Sequence, residues 1–237
     1  MDYGKECIIL AGGFGTRLQP VVKDVPKCMA EVAGKPFLSY IFHYLQKEDF
    51  SHIVLSLGYK SEIIIEWLEY NKFGFDISYV IEDKPLGTGG AIKYAMSKCR
   101  TESVVVMNGD TYFSIDMSKF VAFNIDKKVD ITIALKPMSD FDRYGSVELG
   151  QNERIIKFNE KKICKSGLIN GGTYLINKRI FDNFNFPEVF SFERDLLENK
   201  SLDLTLFGYI EDSYFIDIGI PEDFEKANVD FLTIRNG

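Results

Sequence analysis

Glu6-Cys7-Ile8-Ile9-Leu10-Ala11-Gly12-Gly13-Phe14-Gly15-Thr16-Arg17-Leu18 is an apolar strand that empties into a glycine-rich loop. Glycine has no Cβ, so such a loop lets the backbone come close to a ligand. Its N–H groups can face a negative charge, as they do at nests and helix starts. A basic stop follows at Val25-Pro26-Lys27-Cys28-Met29. Arg17 offers a bidentate fork for an oxyanion and Lys27 a point charge, which together point to a triphosphate site. Two common nucleotide loops do not fit. A P-loop requires G-x-x-x-x-G-K-[ST], whereas Lys27 lies well beyond the glycines. A dinucleotide loop requires G-x-G-x-x-G, and Gly13-Phe14-Gly15 runs into Thr16-Arg17-Leu18 with no third glycine.

Outward from this stretch, strand and helix patterns alternate. Residues 36–48 have apolar side chains at helical spacing, with Pro36 at a first helical position. Residues 53–57 read as a buried strand, and Ser61 as the cap of a helix over 62–72. A strand over 76–81 leads into Glu82-Asp83-Lys84-Pro85-Leu86-Gly87-Thr88-Gly89-Gly90-Ala91, which opens a helix to about Cys99. The apolar strand 103–107 ends at Asn108-Gly109-Asp110; a helix over 116–128 and a strand over 130–135 follow. This rhythm predicts a Rossmann-like α/β fold of three layers, αβα, with a mostly parallel mixed central sheet. In such sheets ligands sit at the carboxyl ends of strands, where the three candidate loops converge. Beyond Arg143 short strands (144–149, 155–158, 172–176) suggest a small antiparallel insertion on the substrate side. A helix over 192–199, strands at 205–209 and 214–216, and a final helix from Glu222 complete the pattern. No repeat or linker divides the chain. The expectation is a single domain over 1–237, with residues 1–135 forming a nucleotide half and 136–237 a sugar-phosphate half.

Composition narrows the partners. The 237 residues are 46% hydrophobic, which places the chain among folded globular proteins. A net charge of −7 without a lysine block argues against nucleic acid or an anionic membrane surface. A polyanionic ligand would therefore need locally focused positive charge, helped by a divalent metal. Four widely spaced cysteines without a C-x-x-C pair read as reduced thiols. No export signal and no run of about 20 apolar residues is visible, so the expectation is a cytoplasmic protein without a membrane span.

The longer pattern from Leu10 to Pro20, then Pro26-Lys27, resembles the sugar-1-phosphate nucleotidyltransferase family. The likeness continues at Pro85-Leu86-Gly87-Thr88, Asn108-Gly109-Asp110, Arg143-Tyr144-Gly145, Glu160-Lys161, Asn170-Gly171-Gly172-Thr173-Tyr174 and Asp217-Ile218-Gly219-Ile220-Pro221. It implies that Leu10, Ala11, Gly12, Gly13, Gly15, Thr16 and Arg17 hold a nucleoside triphosphate, with Arg17 on the departing pyrophosphate. Lys27 would lie on the α-phosphate, and Asp110 and Asp217 would bind Mg²⁺, a hard cation suited to carboxylates. Arg17, Lys27 and Asp110 form the implied catalytic set. Glu82, Pro85, Gly87 and Thr88 would read the base. Asn108, Gly109, Gly145, Glu160, Lys161, Asn170 and Gly171 would hold the sugar phosphate.

Taken singly these residues have plainer readings. Asp110 after Asn-Gly is an ordinary turn residue, and Asp217 is similar. Glu82 reads equally as a surface glutamate at a strand end, and Glu160-Lys161-Lys162 as a solvated charge run. Lys27 sits in apolar sequence surroundings where an unpaired ammonium is costly, which favours a phosphate partner. Guanine presents two adjacent donors to which one carboxylate can bond, whereas uracil and thymine present one N–H between two carbonyls and suit an amide, so Glu82 favours GTP.

Within the family the stretch from Val21 to Lys27, the run Gly34-Lys35-Pro36-Phe37-Leu38, and the stretch from Tyr214 to Asp223 resemble the branch that guanylylates D-glycero-D-manno-heptose 1-phosphate for bacterial surface polysaccharides. Cys28 departs from the branch, replacing the proline that usually follows the lysine. Val22 and Ile220 stand where the wider family often has threonine. The alternatives are a mannose-1-phosphate guanylyltransferase, a uridylyl- or thymidylyltransferase, and a non-catalytic nucleotide-sugar-binding regulator. The reading leaves room for a homodimer.

Overall fold

The computed structural model describes residues 5–15, 17–18 and 21–236, so the expected nucleotide contact Thr16 lies outside the described residues. The chain begins with β1 (Glu6–Leu10), a short ribbon of β2 (Glu31–Val32) and β3 (Lys35–Pro36), and α1 (Phe37–Lys47). It continues through β4 (His52–Leu57), α2 (Ser61–Tyr70), β5 (Asp76–Ile81), α3 (Gly87–Met96), β6 (Ser103–Asn108), β7 (Thr111–Phe113) and α4 (Met117–Lys127). Next come β8 (Ile131–Phe141), β9 (Ser146–Leu149), β10 (Ile155–Phe158), β11 (Cys164–Asn177) and α5 (Arg179–Asn183). A π-helical turn (Phe192–Leu197), β12 (Leu206–Ile210), β13 (Phe215–Asp217) and α6 (Pro221–Asn236) end the chain.

Among the described residues nine strands form the main sheet, with the backbone order β10-β9-β11-β6-β1-β4-β5. Strands β5, β4, β1 and β6 run parallel. The long β11 crosses them antiparallel, pairing with β6 through its carboxyl half and with β9 through its amino half. Its other edge carries β8, to which β12 adds in parallel. This is the mixed sheet expected, with β9 and β10 as the antiparallel wing. Both faces are covered. Cys7 and Ile9 pack with residues of α1, α2, α4 and α6, while Ile8 packs with residues of α3, α5 and the π-turn. The alternation follows from side chains pointing to opposite faces of a strand.

Several local expectations are corrected. Ser61 does not cap α2: Lys60, at φ 53°, occupies that position and Ser61 is the first helical residue. The strand expected over 172–176 is the end of the 14-residue β11. The helix expected over 192–199 is a π-turn, in which Ser191 caps through its side chain. Strand β7 and its antiparallel pairing with β13, which lies within one residue of the strand expected at 214–216, were not anticipated.

The end of the sheet remote from the loops is closed by a buried polar clasp. Glu6 Oε1 lies 2.6 Å from His52 Nδ1, and His52 Nε2 lies 2.9 Å from Ser78 Oγ. Glu6 Oε2 accepts the Arg100 and Thr101 amides and the Thr101 hydroxyl at 2.6–2.8 Å. Burial pushes the Glu6 carboxyl up, but His52, Thr101 and the Arg100 amide together hold it below the ordinary value. The clasp ties β1, β4 and β5 to the start of β6.

Candidate active site

At the opposite rim Leu10 is paired with Ser56 and with Asn108, so three loops leave the sheet side by side. Gly109 donates its amide to Leu10 O at 2.9 Å, and a Cβ there would stand 2.6 Å from that oxygen. Only glycine therefore lets the chain turn over the end of β1 and present Asp110. The β7–β13 ribbon places Thr111 opposite Asp217, and Ile218 donates its amide to Asp110 O at 3.0 Å. This short ribbon brings the two aspartates, distant in sequence, to one spot.

Lys27 completes the centre. It opens a 3₁₀ turn whose next residues, Cys28 and Met29, are buried beneath it. Lys27 Nζ donates to Asp110 Oδ2 at 2.5 Å and to Asp217 Oδ1 at 3.5 Å, with its side chain only 10% exposed. Its partners inside the fold are a pair of carboxylates, so the ammonium is not left unpaired in its apolar surroundings. Asp217 Oδ1 also accepts the Gly219 amide at 2.8 Å. Burial and the charge of Asp110 push the Asp217 carboxyl up, against Lys27, the Gly219 amide and Arg17. Two carboxylates sharing one ammonium keep a residual demand for positive charge. Among the described residues no cluster of three or more His, Cys, Asp or Glu could hold a metal. The donor set instead fits Mg²⁺, which takes one or two carboxylates and fills its shell with waters and substrate phosphates.

A cavity of about 210 Å³ over this centre is lined by Leu10, Ala11, Gly13, Gly15, Arg17, Lys27, Gly109, Asp110 and Gly219. Gly15, at φ +59°, wraps the Lys27 stem, where a Cβ would stand 3.0 Å from Lys27 Cβ. Cys28 also lines this cavity; burial, with Asp110 adding to it, pushes its thiol up to about 12, so it stays protonated at neutral pH.

Leu10 and Gly13 are shared with a second cavity of about 390 Å³. Gly12, Glu82, Pro85, Gly87 and Thr88 line it, as expected. Glu82 is held from two sides: Ser56 Oγ donates to Oε1 at 3.2 Å and the Leu86 amide to Oε2 at 3.0 Å. Each oxygen still has a lone pair for a ligand. Phe14 and Tyr59, with ring centroids 5.3 Å apart, supply an aromatic wall. Ser56, Gly58 and Tyr59 were not singled out in the sequence. Their signal is the same as that of the first loop, an apolar strand emptying into Leu57-Gly58-Tyr59. The Thr88 hydroxyl is engaged inside the protein, accepting the Phe192 amide at 2.9 Å and donating to Glu193 Oε2 at 2.8 Å.

Arg17 also belongs to a third cleft of about 710 Å³, as do Asp217, Asn108, Gly145, Glu160, Lys161, Asn170 and Gly171. Gly109 lines the central cavity instead. Glu160 and Lys161 are exposed. Asn170 is fixed by donating to Tyr174 Oη at 2.9 Å and accepting the Gly172 amide at 3.0 Å. The cleft adds residues that sequence reading assigned no role, among them Arg143, Tyr144, Glu193 and Glu198. Arg143 Nη2 donates to Asp223 Oδ2 at 2.7 Å, which holds the guanidinium at the cleft wall.

An anion cradle with a fixed cation and paired carboxylates, set between an aromatic-walled pocket and a polar cleft, is the arrangement of an enzyme that moves a phosphorus-centred group between two bound substrates. The chain belongs to the nucleotidyl transferase family, whose pattern it matches over residues 6–233. It is 50% identical over 222 residues to the D-glycero-alpha-D-manno-heptose 1-phosphate guanylyltransferase of Aneurinibacillus thermoaerophilus, covering 94% of this chain and 96% of that protein. Identity to the Campylobacter jejuni enzyme of the same name is 48%, covering 92% and 96%. The crystal structure of HddC from Yersinia pseudotuberculosis complexed with GMP-PN superposes with a TM-score of 0.87 at 38% identity, over 97% of this chain and 99% of that one.

Proposed function

We propose that this enzyme transfers a guanylyl group from GTP to D-glycero-D-manno-heptose 1-phosphate, giving GDP-heptose and pyrophosphate for bacterial surface polysaccharide. The reading rests on the two relatives of about half identity that carry this activity in their names. The observation that carries the base preference is Glu82, a carboxylate held in place by Ser56 and Leu86 in the wall of the aromatic pocket. It accepts the adjacent N1–H and amino donors of guanine, a pair that uracil and thymine lack. The unbroken sheet shared by both halves supports one domain over 1–237.

The acceptor phosphate is already an anion at neutral pH, so no general base is required. Its oxygen attacks the α-phosphorus in line with the departing pyrophosphate. Lys27, held by two carboxylates at the floor of the phosphate cavity, is a cation placed beforehand for the charge that grows on the α-phosphate. Arg17, shared by the phosphate cavity and the acceptor cleft, neutralises the leaving pyrophosphate. Lys161 holds the acceptor phosphate, Glu160 accepts from sugar hydroxyls, and Asn170 and Gly145 shape the wall around them. Asp110 and Asp217 would hold Mg²⁺, which would supply further charge neutralisation for the phosphates.

The test is pyrophosphate release from GTP, UTP, CTP and dTTP, each paired with heptose and mannose 1-phosphates. GTP with heptose 1-phosphate is expected to give the highest kcat/KM. A higher value for a pyrimidine nucleotide overturns the base assignment, and one for mannose 1-phosphate overturns the acceptor assignment.

A further inference from the structure

The glycines of Gly87-Thr88-Gly89-Gly90 belong to the turn expected to read the base, yet space around them is taken by the chain itself. A Cβ on Gly87 would stand 2.5 Å from Phe190 O, one on Gly89 would collide with the Phe190 ring, and one on Gly90 with Glu188 O. Backbone bonds fasten the same contact: the Gly89 amide donates to Phe190 O at 3.0 Å, and the Phe190 amide to Leu86 O at 3.0 Å. The segment docked here runs straight into the π-turn, whose Phe192 packs edge-on against Tyr174 at 5.0 Å. Tyr174 in turn fixes Asn170 in the acceptor cleft. The base-side loop and the acceptor cleft are therefore joined through one segment.

Thr88 and Glu193 form the polar part of that joint. The Thr88 hydroxyl accepts from the Phe192 amide and donates to Glu193 Oε2, which also accepts from Ser191 Oγ at 3.3 Å. Glu193 lines the acceptor cleft, and its Oε1 makes no hydrogen bond among the described residues. A carboxylate with one oxygen anchored and the other open at a polar cleft is an oriented acceptor for a hydroxyl group.

We propose that Thr88, although it lines the base pocket, is a positioning residue for the acceptor: it fixes Glu193 so that Oε1 accepts from a hydroxyl of the sugar 1-phosphate. This rests on the sugar 1-phosphate reading above. It separates Thr88 from the residues that hold the nucleotide, and makes the base-side loop a determinant of acceptor affinity.

The test uses whichever substrate pair the wild-type enzyme turns over fastest. Thr88→Val, which keeps the side-chain shape and removes the hydroxyl, is expected to raise the acceptor KM about tenfold, the effect of losing one well-placed hydrogen bond. The nucleotide KM is expected to stay within about twofold, and Thr88→Ser to restore the acceptor KM. Glu193→Ala should raise the acceptor KM likewise, and the double variant no further, because the two act as a unit. A nucleotide KM that rises while the acceptor KM holds, or effects that multiply in the double variant, overturns the proposal. Should Thr88→Val not fold, Glu193→Gln keeps the bond from Thr88 but exchanges the open oxygen; an unchanged acceptor KM there also overturns it. A wild-type enzyme that turns over no pair overturns the functional reading itself, and the acceptor role with it.

Discussion

The turn at residues 12–15 and the turn at residues 87–90 both follow a strand end at the same rim, and both are rich in glycine. Around Gly13 a Cβ would meet nothing within 4 Å, whereas around Gly87, Gly89 and Gly90 it would run into the Phe190 and Glu188 segment. In the first turn Gly12 packs against Glu82 and Gly58, Gly13 stands open over the cavity and Gly15 wraps the Lys27 stem. The second is glycine so that another part of the chain can dock. Identical local chemistry, the absence of a Cβ, thus serves a cavity in one place and close packing in the other.

The sharpest way to break that contrast is to remove the charge the first turn encloses. Lys27→Ala is expected to cost about 10²–10³ in turnover with saturating substrates while the fold persists, the usual loss of a donor aimed at developing charge. Near-normal turnover would remove Lys27 from its role. The next effect divides the turns by stability. Gly90→Ala should destabilise the protein by about 1–3 kcal/mol in denaturant unfolding, the cost of overpacking against backbone. Gly13→Ala should unfold within about 0.5 kcal/mol of wild type, as open surface positions do. Its cost should appear in the nucleotide KM instead. Equal losses of stability would erase the distinction.

Two carboxylates at opposite ends of the sheet extend the contrast to pH. Asp217 has its carboxyl raised by burial and by Asp110, so protonation favours the folded form there and its own contribution to stability rises as pH falls through the raised value. Cation binding needs the ionised form. Activity at limiting Mg²⁺ should therefore fall as pH drops into the acid range, and saturating Mg²⁺ should move that fall to lower pH. Glu6 is the reverse case, with its folded carboxyl held below 4.5. Its stabilisation is present above that pH and is lost as pH falls through the folded value. The smallest expected effect is a flatter loss of melting temperature with acidification in Glu6→Gln than in wild type.

Regular apolar runs made much of the fold legible: β1, β5 and β10 lie where the pattern places them, β1 because a strand covered on both faces is apolar almost throughout. The pairing of β7 with β13 left no such trace. Each strand has three residues, and what specifies them is their mutual pairing across about a hundred residues of chain. Hence the meeting of Asp110 and Asp217 was legible through the family resemblance, while the ribbon that brings them together was not. Lys27 was legible as a cation in an apolar stretch, while its carboxylate partners come from later strands. Thr88 shows the opposite limit: its local motif points to the nucleotide, and its hydroxyl is spent on Glu193, 105 residues away. Ser56, Gly58 and Tyr59 lie at a strand end as the first loop does, but a single glycine marks their turn where the loops at residues 12–15 and 87–90 carry three each.

In the proposed mechanism the acceptor anion attacks the α-phosphorus directly at the Lys27–Asp110–Asp217 centre, with no nucleotidyl group passing through the protein. The most direct measurement is the stereochemical course with GTP carrying sulfur of defined configuration at the α-phosphorus. A single in-line displacement predicts inversion at phosphorus in the nucleotide sugar. Retention would contradict it, since two displacements through a covalent protein intermediate would then be required.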